Sequence, residues 1–226
     1  PGYAAHLQMN SSQQRHPKGH WLWIGVGTLV TCWALRPIWD MDLWWHIALG
    51  RLILDSGFPT TDPLAVGRGA LEWATFQGGY EVMVALVEEH LGLFGVRLIH
   101  ALAVGCGVGL VGYTLHRENK QPWWGVAVVF LLLFLYEDRI RVRPHVFHFL
   151  GMSWMLFRLA RPGFHWNRRD LCFLVPILMV WSSFHGPASL WGLLLVGAGT
   201  LARARSRESW EVAFASGLAV PVSYTH

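Results

Sequence analysis

The chain has 226 residues, of which 53% are hydrophobic and only 14% are charged. Soluble domains usually carry about 25% charged residues, so this composition argues against a soluble globular protein and favours a membrane protein. The formal net charge of +4 would also suit nucleic-acid binding. The Arg and Lys residues, however, form short clusters between apolar runs, as do the loops that stay on the cytoplasmic side of a membrane. We therefore exclude nucleic acid and expect membrane lipid as a partner.

The N-terminal end of the chain is predicted to be a polar tail, and the C-terminal end is predicted to be cut short. Residues 1–20 are polar and are expected to form a cytoplasmic tail. Residues 222–226 resemble a translated sequencing adaptor and follow an apolar stretch that is too short to span a membrane. We therefore expect residues 21–221 to form a partial transmembrane domain, the N-terminal part of a longer protein.

Apolar runs between these ends predict an all-α, polytopic bundle of about six membrane spans. The predicted spans are Trp21–Ile38, Leu93–Leu115, Trp123–Tyr136, Val146–Leu159, Leu171–Phe184 and Leu190–Ala202. Several are shorter than the roughly 20 residues of a typical span, which indicates tilted or partly buried helices. Glycines between positions 105 and 112 have the small-residue spacing of closely packed helices.

A long polar loop, residues 39–92, separates the first two spans. Its periodicity predicts an amphipathic helix over Leu43–Leu54, ended by the breaker residues Gly57-Phe58-Pro59. A second helix is predicted over Tyr80–His90, which carries three glutamates. A helix with so many acids is not expected to cross lipid, so we place it at the membrane interface.

The basic clusters fix the predicted orientation. Residues 116–120, 161–169 and 203–207 are the densest of them, and alternating spans place all three on the side of the N-terminal tail. The N-terminus is then cytoplasmic. The unusual polar residues near positions 40, 141 and 185 share the opposite side.

Asp40 and Asp42 stand one residue apart just beyond the first predicted span. Paired carboxylates can act as a general base or hold a divalent cation such as Mg²⁺ or Mn²⁺. The alternative interpretation is that they cap and charge the helix that follows. The continuation through Trp44, Trp45 and His46 favours a site, although paired Trp also suits the membrane interface.

Arg139, Arg141 and Arg143 alternate along a segment between two spans, so an extended chain would point them the same way. Guanidinium groups suit a phosphate or pyrophosphate. Pairing with Glu137, with Asp138 or with the Asp40 motif is the alternative. His185 closes a span at the same face and could serve as a ligand, a proton carrier or a packing residue.

Together these residues resemble bacterial polytopic membrane proteins related to the GT-C glycosyltransferases. The resemblance lies in Asp40-x-Asp42-Leu-Trp-Trp-His46-Ile-x-x-Gly50, Pro59-Thr-Thr-Asp62-Pro63, Trp73, Arg143-Pro144 and Trp181-x-x-x-His185-Gly186. The chain departs from the family pattern after Trp73, where it reads Ala-Thr-Phe-Gln-Gly-Gly instead of a His-Glu-Trp-type stretch.

The resemblance implies a GT-C-like fold and an inverting sugar transfer from a polyprenyl-phosphate donor, on the periplasmic face of a bacterial inner membrane. It implies that one of Asp40 and Asp42 serves as the catalytic base or as a ligand of a divalent cation, and we expect a catalytic role for His46 beside them. The residues expected to bind substrate are Arg139, Arg141, Arg143, His185, Trp44 and Trp45. The alternatives are a transporter or flippase of a lipid-linked or anionic substrate, and a non-catalytic assembly subunit.

Overall fold

The computed structural model describes residues 19–65, 72–119, 122–135, 137, 140–161, 164 and 166–202. Over these residues the prediction of an all-α chain is confirmed. The helices are α1 (Gly19–Ala34), α2 (Asp42–Ser56), α3 (Gly78–Asn119), α4 (Pro122–Leu135), α5 (His145–Leu159), α6 (Arg168–Phe184) and α7 (Gly186–Ala202). Most of the predicted tail, the basic cluster at 203–207, Arg139 and residues 222–226 lie outside the described residues.

Local sequence explains where the helices that carry the site begin and end. Pro37 disfavours a helical conformation at Arg36, and α1 accordingly ends before the predicted boundary at Ile38. Helix α2 begins at Asp42, whose charge is favourable near a helix N-terminus. It ends at Gly57, which has φ 82° and donates its N–H to the carbonyl of Ile53 over 2.9 Å.

Helix α3 is broken at Gly92, where φ is 65° and ψ is −172°. The Tyr80 hydroxyl nevertheless lies 3.1 Å from Nε2 of His100, although twenty residues of straight α-helix would extend about 30 Å. Residues 78–91, here called the first arm, therefore fold back beside residues 93–119, the second arm. Glycine makes this turn possible because a positive φ costs it little. The predicted separation of Tyr80–His90 from the span that begins at Leu93 is confirmed.

Contacts along the helices define two ends of the bundle. Arg97 of the second arm donates to the carbonyl of Leu35 over 2.7 Å just beyond α1, while Gly19 at the start of α1 lies against His116. Helix α1 and the second arm are therefore antiparallel. Helix α5 runs beside the second arm in the same direction, because Arg117 donates to the carbonyl of Ala160 over 2.7 Å.

Helices α6 and α7 complete this arrangement. His185, between them, contacts His145 at the start of α5, whereas Arg158 near the end of α5 pairs with Asp170 in the first turn of α6. We call these two ends of the bundle the Asp40 end and the Arg158 end. Polar residues from the loop after α1 and from the segment before α5 meet at the Asp40 end.

Close glycine packing joins α1 to the second arm. A Cβ added to Gly105 would lie 2.0 Å from Oγ1 of Thr31 and 2.4 Å from the carbonyl oxygen of Gly27. A Cβ on Gly27 would in turn lie 2.8 Å from the carbonyl oxygen of Gly105. Small residues at such crossings let two backbones approach closely. The predicted role of the glycines that begin at Gly105 is confirmed.

Gly105→Ala is expected to destabilise the protein by at least about 1–3 kcal/mol, because the added methyl group must push two helix backbones apart. Thermal unfolding in detergent would measure the loss. Gly25→Ala is the matched control, since a Cβ at Gly25 meets nothing within 4 Å. Equal melting temperatures for the two variants would contradict the described helix crossing.

Among the described residues one helix, Gly78–Arg117, is long and apolar enough to cross a membrane, and Gly92 lies within it. Shorter apolar helices cover Trp123–Leu135, Cys172–Phe184 and Leu190–Leu201. Large apolar side chains are exposed on these helices and on α1, among them Leu29, Trp123, Phe134, Phe173 and Leu201. Large exposed apolar patches mark surfaces that contact a membrane or another protein.

Candidate functional site

The centre of the Asp40 end is an ion pair between Asp40 and Arg143. Asp40 is buried, and its carboxylate accepts hydrogen bonds from both Nε and Nη2 of Arg143, the latter over 3.0 Å. The backbone N–H of Asp42 donates to the same carboxylate over 3.1 Å. This two-pronged guanidinium contact ties the loop after α1 to the segment that begins α5.

Asp42 occupies a different environment from Asp40. Its carboxylate lies 2.9 Å from Nη2 of Arg143, but 47% of its side chain is exposed. One guanidinium therefore faces both aspartates, while only Asp42 is open to a ligand from outside. The pairing of Arg143 with the Asp40 motif was one of the two alternatives that the sequence left open.

The electrostatics of the pair keep both partners charged. Burial raises the pKa of Asp40, but the hydrogen bonds from Arg143 and from the N–H of Asp42, with the charges of Arg143 and Arg141, outweigh it and leave that pKa below its usual value. The hydrogen bond to Asp40 raises the pKa of Arg143 further, despite its partial burial. Asp40 is therefore ionised at neutral pH and already engaged by a cation.

The predicted Mg²⁺ or Mn²⁺ site at Asp40 and Asp42 does not fit this geometry. The guanidinium of Arg143 takes the place between the two carboxylates that a cation would occupy. Within the described part of the chain, no group of three or more His, Cys, Asp or Glu side chains is arranged to hold a metal ion. We therefore assign no step to a metal.

His46 contacts the first arm. It is buried, and its Nδ1 lies 3.5 Å from Oε1 of Glu81 on the first arm. The Trp45 ring lies against the His46 ring, tilted by 33°, with 3.6 Å between ring centroids. Trp44 is half-exposed on the surface of α2. These contacts hold α2 against the first arm, and the catalytic role of His46 stays a prediction.

Tyr80 lies at the point where the elements of the Asp40 end converge, and sequence reasoning missed it. Its ring is fully buried, and its hydroxyl contacts both Nε2 of His100, at 3.1 Å, and the carbonyl of Val142, at 3.3 Å. Nδ1 of His100 lies 2.7 Å from the carbonyl of Val96 and must be its donor. The single proton of the Tyr80 hydroxyl is then donated either to Nε2 of His100 or to the carbonyl of Val142. The signal that the sequence offered was His100, a lone histidine inside an apolar run, because an ionisable side chain there usually has a polar partner.

His185 is paired with another histidine. Its Nε2 lies 3.3 Å from Nε2 of His145, and the ring of His148 stacks alongside with 6.3 Å between centroids. Burial lowers the pKa of His185, even though a hydrogen bond with its own backbone raises it. Two facing ring nitrogens can share only one proton in a hydrogen bond. The contact therefore excludes the state in which both imidazoles are protonated and charged. Neither His145 nor His148 was among the predicted site residues.

A cavity of about 470 Å³ opens beside the ion pair. Its walls include Trp39 and Val142, the chain neighbours of Asp40 and Arg143, and His100 of the second arm also lines it. Its other lining residues are mostly apolar, but they include the charged side chains of Arg36, Glu137 and Arg141. Arg36 and Glu137 form an ion pair over 2.8 Å at this cavity.

The predicted site residues thus divide into two groups. Asp40, Asp42 and Arg143 are in direct contact, and Arg141 is exposed beside the cavity. His46 and His185 contact other partners, and Arg139 lies outside the described residues.

Comparisons with known proteins place no relative beside this chain. A scan of protein-family models and searches of curated proteins and of solved structures found no match to it.

Proposed function

We propose that the protein is a GT-C-like, membrane-embedded glycosyltransferase that transfers a sugar from a polyprenyl-phosphate donor at the Asp40 end of its bundle. In this proposal the helices cross a bacterial inner membrane several times, with the N-terminus in the cytoplasm and the Asp40 end at the periplasmic face. The exposed apolar side chains on α1, α4, α6 and α7 support burial in lipid.

One observation carries the proposal: at one end of the bundle a partly exposed carboxylate lies in an ion-pair cluster, and the chain neighbours of that cluster line a cavity with apolar and charged side chains. Asp42 supplies the carboxylate, and Arg36 and Arg141 line the cavity. A lipid-linked sugar phosphate needs an apolar surface for its chain and cations for its phosphate. A transporter would need the same surface, so only the detection of sugar transfer separates the two functions.

In the proposed reaction Asp42 is the general base. It accepts the proton of the acceptor hydroxyl while the acceptor oxygen bonds to the anomeric carbon of the sugar. The bond from that carbon to the phosphate oxygen breaks, and polyprenyl phosphate leaves with its negative charge stabilised by Arg141. Arg143 is committed to the two aspartates, so its role is to hold Asp42 in place. This replaces the predicted phosphate-binding role of Arg143.

Sidedness is the first test. Single cysteines at Met41, exposed at the Asp40 end, and at Arg161, exposed near the Arg158 end, would be introduced after Cys32, Cys106 and Cys172 are replaced. In intact cells with a permeabilised outer membrane, a membrane-impermeant thiol reagent should label the Met41 position only. Labelling of both positions, or of the Arg161 position only, would contradict the proposed orientation.

Activity is the second part of the same test. The purified protein in liposomes would receive a radiolabelled polyprenyl-phosphate sugar together with candidate acceptors. Sugar transfer with release of polyprenyl phosphate supports the enzyme. Movement of the intact donor across the bilayer without transfer would instead support the transporter.

A further inference from the structure

A second groove lies at the Arg158 end, on the opposite end of the bundle from Asp40. It has a volume of about 340 Å³ and runs between α5 and α6. The side chains that line it are Trp154, Arg158, Trp166, Asp170, Phe173, Leu174 and Ile177. Phe173 is largely exposed, so the apolar wall of the groove faces the surroundings of the bundle, where lipid chains lie if the protein is embedded in a membrane.

The polar side of this groove is Arg158. Its Nη2 donates to Asp170, and its guanidinium lies 5.2 Å from the ring centroid of Phe164 and 5.9 Å from that of Trp154. Its Nε is buried and has no acceptor among the described residues. The protein itself thus fills only part of the hydrogen-bonding capacity of this guanidinium.

The charge around the groove is strongly positive. Residues 158–170 contain four Arg and one Asp, which gives a formal net charge of +3. Arg161, one turn beyond Arg158, is exposed and stacks over the Phe157 ring at 4.8 Å. Asp170 neutralises only one of these positive charges. A basic cluster at the end of an apolar groove is complementary to a molecule with an anionic head and an apolar chain.

We propose that this groove binds an anionic phospholipid, with the phosphate headgroup near Arg158 and Arg161 and an acyl chain along Phe173 and Ile177. Guanidinium groups suit phosphate oxygens, and basic pockets between membrane helices favour anionic over zwitterionic headgroups. The proposal depends on the membrane location but not on sugar transfer, because the groove and the Asp40 site lie at opposite ends of the bundle.

Native mass spectrometry of the full chain in detergent, titrated with phosphatidylglycerol or phosphatidylcholine of matched acyl chains, tests the proposal. Phosphatidylglycerol should bind more tightly, and Arg161→Gln should weaken its binding about fivefold. This variant leaves the Arg158–Asp170 pair intact, so it does not depend on a change that could unfold α6. Arg158→Lys, which keeps the charge but loses the planar fork, should also weaken binding.

Arg51→Gln is the matched control, because Arg51 is an exposed arginine on α2 that pairs with Glu88. It should leave phosphatidylglycerol binding unchanged. Equal binding of the two lipids, or equal losses for the Arg51 and Arg161 variants, would overturn the proposal. Displacement of the lipid by millimolar inorganic phosphate would also overturn it, since that would indicate an anion site with no preference for lipid.

Discussion

Arg143→Ala should lower the free energy of unfolding by about 3–5 kcal/mol, because it leaves a buried carboxylate without its cation. The side chain of Asp40 is only 2% exposed, and both Nε and Nη2 of Arg143 bond to it. The N–H of Asp42 would remain as a neutral donor to Asp40 but could not balance the negative charge. Unfolding of the purified protein in mixed micelles with increasing denaturing detergent would measure the difference from the wild-type chain.

The size of this loss should depend on pH. Because Arg143 lowers the pKa of Asp40 in the folded protein, the stability that Asp40 contributes is present above its unfolded pKa of about 3.9 and disappears as the pH falls through the lower folded value. Without Arg143, the largest cause that lowers the pKa of Asp40 is lost, while burial still raises it. The variant should therefore lose most stability near neutral pH and approach the wild-type chain in acid.

Asp40→Asn with Arg143→Gln is the double variant that separates charge burial from packing. Removing both charges should be less damaging than removing Arg143 alone, because no unpaired charge remains in the interior. If the double variant lost as much stability as the sum of the two single variants, the two side chains would not be coupled. A loss from Arg143→Ala that did not change with pH would contradict the described ion pair.

The helices of this fold could be predicted from sequence where apolar runs or amphipathic periodicity meet turn-forming residues. Gly57 is an example, since the predicted breaker that begins there marks the end of α2. The predicted first span ran through Pro37 to Ile38, however, whereas α1 ends at Ala34. Six membrane spans remain a prediction, because among the described residues only Gly78–Arg117 has the length and composition of a span. The other helices measure 14 to 17 residues, which corresponds to about 21–26 Å.

The partners at the site were harder to predict than the helices. The spacing of Asp40 and Asp42 suggested a metal ligand or a base, but the charge that faces them comes from Arg143, about a hundred residues later. The sequence offered two partners for Arg143, a bound phosphate or a carboxylate of the protein. Both use the same guanidinium chemistry, so only the fold could show which one lies beside it. The segment before α5 meets the loop after α1, and that contact makes the ion pair possible.

The fold-back at Gly92 accounts for what sequence reasoning missed. On a straight helix Tyr80 and His100 would be about 30 Å apart, so nothing in their spacing indicates a hydrogen bond. His46 presents a similar problem, because its direction is set by Glu81 on the first arm. The catalytic role predicted for His46 rested on its nearness in sequence to Asp42. Spacing along one helix does not show which residues of another segment a side chain meets.

Asp42→Asn is expected to reduce sugar transfer by about 10²–10⁴-fold, because the amide cannot accept the proton of the acceptor hydroxyl. Asn has nearly the same shape as Asp, and half of the Asp42 side chain is exposed. The loss of a favourable charge at the start of α2 should cost only about 0.3–1 kcal/mol of stability. Initial rates at saturating donor, measured with the liposome assay, would give the change in kcat.

Asp40→Asn is the matched comparison, since the two aspartates face the same guanidinium. Asp40 is buried and held on both oxygens, so its substitution should lower stability more than Asp42→Asn does and affect kcat less. If Asp40→Asn abolished transfer in a stably folded protein while Asp42→Asn remained active, the roles would be reversed. If both variants kept full activity, neither carboxylate would be the base, and the cavity beside them would bind its ligand without chemistry.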